Sequence, residues 1–265
     1  MSADWHPFSN MVCGSPDDDV LETQHILKHL GNTINRFTNR LLSLNLLEED
    51  QRELAPFYAR SIMEAAGTAL VARMDPFRIL SIYKVQSASS YDVTKKSNVA
   101  LQWTGDILAA NTPKKNIWHP DIKFIEYDRA LLSNHNAELF WKPGFLRVLD
   151  YMSPGEEATL RGEWINQLLS QDEEQYFERS KTEAGKLYSA FSKGIHYEFL
   201  VNAESVYDAT TVQSYIIRMF QLFSNLGLVS HFIGITSSKL DNASCLEQFI
   251  QIEELVKEWR QTMVS

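Results

Sequence analysis

The stretch VLETQHILKHLGNTINRFTNRLLSLNLL, residues 20–47, decides the reading of the fold. Ile26, Leu27, Leu30, Ile34, Phe37, Leu41, Leu42 and Leu44 recur in it at spacings of three and four. That period stacks side chains on one face of a helix, so the spacing predicts a long amphipathic helix. Working outward, LEEDQREL (47–54) supplies an acidic first turn, and Phe57, Ile62, Ala65, Ala66, Ala69 and Leu70 carry the period on to Arg73. Asp75-Pro76 ends this second helix, and Pro56 is expected near its start or at a kink.

Pro76 to about Tyr83 reads as a third helix, with proline at the first position, where its missing N–H costs little. Residues 87–98, SASSYDVTKKSN, read as a loop, and VALQWTGDILAA (99–110) resumes helical spacing. NTPKKNIWHPDIKF (111–124) holds two prolines and no period, and reads as an ordered excursion. Residues 126–153 read as short helices punctuated by Pro143 and Gly144. SPGEEA (153–158) is a helix-start signal, two helices follow up to Leu200, Asp208 is an N-cap candidate, and DNASCLEQFIQIEELVKEWRQ (241–261) begins a last amphipathic helix. No stretch alternates with period two for long enough to form a sheet. The expectation is an all-α helical bundle, a single domain over 1–265 with 1–19 as an irregular N-terminal segment.

Composition narrows the class. With 265 residues, 44% hydrophobic and 11% aromatic, the chain can bury a sizeable core. A net charge of -9, from 25 basic and 34 acidic residues, argues against non-specific coating of nucleic acid or anionic membrane, while leaving room for a local basic groove. Cys13 and Cys245 stand at opposite ends and form no C-x-x-C spacing, which fits reducing cytosol. The N-terminus lacks a signal-peptide pattern, and the longest apolar run, LGLVSHFIGI, is about half of the roughly 20 residues that span a bilayer and is interrupted by a histidine. A cytoplasmic protein with no membrane partner is expected.

Two polar constellations stand out. In KLYSAFSKGIHYEFL (186–200), Tyr188, Ser192 and His196 lie four apart, beside an apolar stripe of Leu187, Phe191 and Ile195. Such a stripe faces a groove or a neighbouring helix. It is either a hydrogen-bonded seam or a site in which His196, with an unperturbed pKa of about 6.5, acts as general acid or base. In YARSIMEAAGTALVARMDP (58–76), Arg60 and Glu64 stand four apart on a side rich in small residues, as a structural ion pair or as an anion binder held in place. His25 and His29 share the i, i+4 spacing of metal ligands but lack the glutamate of H-E-x-x-H and a third ligand, which points to an exposed face. No Walker loop, G-x-G-x-x-G or G-x-S-x-G is present, so no cofactor or metal is expected.

LYSAFSKGIH together with ARSIMEAAGTALVARMDP resembles a broad group of bacterial helical proteins related to the HEPN superfamily. The resemblance covers those two helices. It implies an all-helical fold, commonly dimeric, and in active members metal-independent RNA cleavage in toxin, abortive-infection and other antiviral systems. The usual signature of that group is an arginine followed, after four to six residues, by a histidine. The corresponding positions before His196 are Ser189, Ala190 and Phe191, so the signature is absent there. RALLSNH, Arg129 to His135, satisfies it formally, outside the matched helices, at about the rate chance allows.

Two arrangements follow. In one, His196 is catalytic, Arg60 or Lys193 neutralises phosphate charge, and Tyr188 and Ser192 orient the imidazole. In the other, the fold is kept without chemistry, and the chain is an accessory subunit that binds a partner protein. A small-molecule or nucleotide sensor with 111–124 as a lid is a third reading. Catalysis calls for a cation near His196 on an open groove, the accessory role for an exposed apolar patch, and the sensor for a deep pocket under the central loop.

Overall fold

The computed structural model describes residues 6–15, 21–95, 99–110, 115–152, 162–195 and 207–262. Among them are ten α-helices and no strand: α1 His6–Cys13, α2 Leu21–Leu42, α3 Glu49–Met74, α4 Pro76–Gln86, α5 Asn134–Asn136, α6 Lys142–Tyr151, α7 Glu163–Leu169, α8 Glu173–Ile195, α9 Ala209–Phe232 and α10 Asn242–Thr262. The expected all-α bundle is what the chain forms.

The long helix of the opening stretch ends at Leu42, because 43–48 turns back to start α3. α3 and α9 form the centre. α3 packs against α2, α8, α9 and α1, and α9 against α10, α3, α1, α6 and α8. The face of α3 built from Ala55, Ala59, Ala66, Ala69 and Ala72 is fully buried, and these short side chains let the neighbouring helices approach. Pro56 is accommodated inside α3, where it is buried and its ring meets α8 at Gly194. Asp208 caps α9 as read, accepting from Thr211 N at 2.9 Å, and Asp241 does the same for α10, accepting from Ser244 N at 2.9 Å.

Three expectations are corrected. The start of the chain is not irregular throughout: His6–Cys13 is a helix that buries Phe8, Met11 and Val12 between α2, α9 and α10. The segment around Trp103 is not a helix but one wide turn, Trp103–Ile107, with Thr104 extended and Gly105 at φ +107°, a conformation that favours glycine. It pairs with Leu132 through an isolated bridge at Leu108. Pro143 and Gly144 do not punctuate helices: α5, a wide turn at Ala137–Trp141 and α6 run on continuously through Tyr151. The wide turn precedes the residue without an N–H, and an alanine at 144 would put its Cβ 2.8 Å from Ile233, so glycine serves close packing. The helix-start signal SPGEEA lies outside the described residues. No described helix is long and apolar enough to cross a membrane.

Candidate functional site

The two helices that carry the polar constellations are neighbours, α3 against α8. Arg60 and Tyr188, 128 residues apart, meet where they cross: Arg60 Nη2 donates to the Tyr188 hydroxyl at 2.8 Å. That hydroxyl donates to Glu64 Oε1 at 3.1 Å, and the same oxygen accepts from Arg60 Nε at 3.0 Å, which closes a ring of three hydrogen bonds. Trp103 stacks on Tyr188 with centroids 4.4 Å apart and planes 1° from parallel, and the Arg60 guanidinium carbon lies 4.7 Å from the Tyr188 centroid.

Burial disfavours the charge on Arg60, but its bonds to Glu64 and Tyr188 outweigh that effect and hold the guanidinium above its ordinary pKa. Burial, followed by the Glu64 charge, raises the Tyr188 phenol, so it stays a neutral donor. Arg60 is 22% exposed and Glu64 49%. Arg60 is therefore oriented by a carboxylate and a phenol and remains at the surface.

The other members of the stripe are placed differently. The Ser192 hydroxyl donates to the Tyr188 carbonyl of its own helix at 2.6 Å. Lys193 is exposed and turned about 140° around α8 from Tyr188. His196 lies outside the described residues, immediately after α8 ends at Ile195. The structure thus brings Arg60, Glu64, Tyr188 and Trp103 together. Trp103 escapes a sequence reading because the helical spacing of 99–110 is broken at Thr104 and Gly105, and the resulting turn delivers it.

RALLSNH separates into two structural tasks. Arg129 pairs with Asp75, the N-cap of α4. His135 is buried: its Nδ1 accepts from Asp128 N at 2.9 Å and its Nε2 faces the Lys115 carbonyl at 3.1 Å. These bonds tie the central loop down. The loop borders a cavity of about 240 Å³ lined by Lys115, Asn116, His135 and Lys142, smaller than the ~300–1,000 Å³ typical of ligand pockets. His25 and His29 are exposed on α2, and no group of three or more metal-ligating side chains occurs among the described residues. Burial pushes the Cys13 and Cys245 thiols up to about 12, which leaves them unreactive.

Two surfaces fall outside the sequence reading. One is an apolar face where Phe77 (77% exposed), Phe124 (85%) and Ile235 (59%) rim a groove of about 470 Å³, with Ile125 (89%) beside Phe124. The other is a polar groove between α8 and α9, described below. Comparison with protein-family models, with curated proteins and with solved structures finds no match for this chain.

Proposed function

We propose that the chain is a metal-independent endoribonuclease of the HEPN-like kind, acting in a bacterial antiviral or toxin-type system. The observation that supports it is the Arg60–Tyr188 hydrogen bond, which joins the two helices carrying the resemblance and leaves an oriented guanidinium at the surface. His196 takes the proton of a ribose 2′-hydroxyl as the 2′-oxygen bonds to phosphorus and the bond to the 5′-oxygen breaks. The same imidazole, or water, returns a proton to the 5′-oxygen, leaving a 2′,3′-cyclic phosphate. Arg60 offsets the charge that builds on the phosphoryl oxygens, and Tyr188 and Glu64 keep its side chain in place.

The test is cleavage of total cellular RNA in EDTA by folded wild-type protein, by His196→Ala and by Arg60→Ala. Cleavage by wild type that falls at least a hundredfold in His196→Ala is the expected result. Equal cleavage by both would remove His196 from the chemistry and sink the reading.

The apolar face favours a second reading. Three large apolar side chains exposed around one groove, with a fourth beside them, are what a protein contact covers, and they suit a non-catalytic accessory subunit that binds a partner protein. Wild type inactive on RNA would leave this reading in place.

A further inference from the structure

We propose that the groove between α8 and α9 binds single-stranded nucleic acid, with its phosphates along α8 and its bases against the α9 side. The groove comprises two adjoining parts of about 720 Å³ each, which share Thr182, Lys186 and Arg218. Arg179, Lys186 and Lys193 line it and follow one another by seven residues, so they fall on one face of α8 at intervals of about 10.5 Å. All three are exposed and form no ion pair among the described residues. Of the acids along the groove, Glu183 is taken by Arg218 in a two-pronged pair at 2.6 and 2.8 Å, which leaves Glu178. On a chain with net charge -9, this row of unpaired cations is a local reversal of sign.

Two further observations point to a polynucleotide. Tyr207 and Tyr215, both half-buried, line the Lys193 end in edge contact with centroids 6.4 Å apart; the Arg218 guanidinium carbon lies 5.5 Å from the Tyr215 centroid, and the exposed parts of the two rings offer aromatic surface for unpaired bases. At the Arg179 end, the buried Asn225 Oδ1 lines the groove without a hydrogen-bond partner, while the Tyr176 hydroxyl beside it faces Ser180. A sugar hydroxyl or base N–H of a strand would satisfy it. From Arg179 to Lys193 the row spans about 21 Å, the rise of roughly six nucleotides at ~3.4 Å each. A duplex cannot present its bases to the tyrosines, which selects the single strand. The groove lies on a different side of α8 from Arg60, and this inference stands apart from the cleavage reading.

Fluorescence anisotropy with a labelled 12-nucleotide oligo(dT), an oligo(U) of the same length in EDTA, and a 12-base-pair duplex tests it. The DNA strand has no 2′-hydroxyl and cannot be cut by the proposed chemistry, so binding is read independently of cleavage. Wild type should bind either single strand more tightly than the duplex, with a log–log salt slope of about −2 for three phosphate contacts. Lys186→Glu with Lys193→Glu, both at exposed positions, should weaken binding at least tenfold and bring the slope towards about −0.7. No binding of either single strand at low salt, equal binding of the duplex, or an unchanged affinity in the double variant would overturn the proposal.

Discussion

Arg73 shows how much a single side chain can hold. It is fully buried, and its guanidinium donates to Val12 O (3.3 Å), Ser230 Oγ (2.8 Å) and Ser237 O (3.1 Å) and meets His231 Nδ1 at 3.0 Å. It thereby joins α1, α3, α9 and the loop after α9. Arg73→Met should cost about 3 kcal/mol in urea unfolding, because several buried acceptors lose a charged donor at once. His231 adds a pH dependence. Burial first, then Arg73 and Lys239, hold its pKa well below 6.5, while its Nε2 faces the Met11 carbonyl at 3.0 Å and Leu240 N donates to its Nδ1 at 3.1 Å. Below about pH 6.5 the unfolded chain takes up a proton that the folded chain does not, so stability contributed by this site is complete above that pH and falls as pH drops. Between pH 6.5 and 5.5 the loss should be about 1 kcal/mol, and His231→Gln should abolish that slope in unfolding curves taken at both values. The sequence carried a trace of this knot, since His231 interrupts the longest apolar run. Nothing local marked Arg73, which reads as an ordinary basic residue in a last helical turn.

At the scale of elements, the crossing of α3 and α8 depends on glycine facing proline. A Cβ at Gly194 would stand 2.6 Å from Pro56 Cγ and 2.7 Å from Pro56 Cβ. Gly194→Ala should therefore push the helices apart, cost about 1–3 kcal/mol, and loosen the Arg60–Tyr188 bond two turns away. Chemical denaturation gives the first quantity, and the near-ultraviolet signal of Trp103 stacked on Tyr188 reports the second; a variant with both unchanged would show that the crossing has slack. α2, α3, α4, α9 and α10 were legible because period, caps and proline positions agree. The segments around Trp103 and Pro143 were not, because Thr104 and Gly105 break the helical spacing of 99–110 and a wide turn carries the helix past Pro143, and both depend on what packs against them. Arg60 with Tyr188 was half legible: each stood out on its own helix, but their pairing needed the crossing.

For the molecule as a whole, the apolar face carries the prediction. It presents protruding rings and a groove on one surface, which is the combination that a two-fold contact between copies can use. Sedimentation equilibrium at tens of micromolar should show a dimer, and Phe124→Asp with Ile125→Asp should return it to monomer. A wild type that stays monomeric would overturn the contact between copies, whereas a dimer lost in the variant would take this face away from the partner-protein reading. The sequence by itself determined the helical class, the starts of α2, α3, α4, α9 and α10 and the cap at Asp208, since these follow from spacing along a few turns of chain. Tertiary structure alone decided that Arg60 closes a ring with Tyr188 and Glu64, that Arg73 and His231 form a buried knot, and that heptad-spaced cations on α8 line a groove with tyrosines. Those arrangements join residues far apart in sequence, and local periodicity holds no information about which helix faces which.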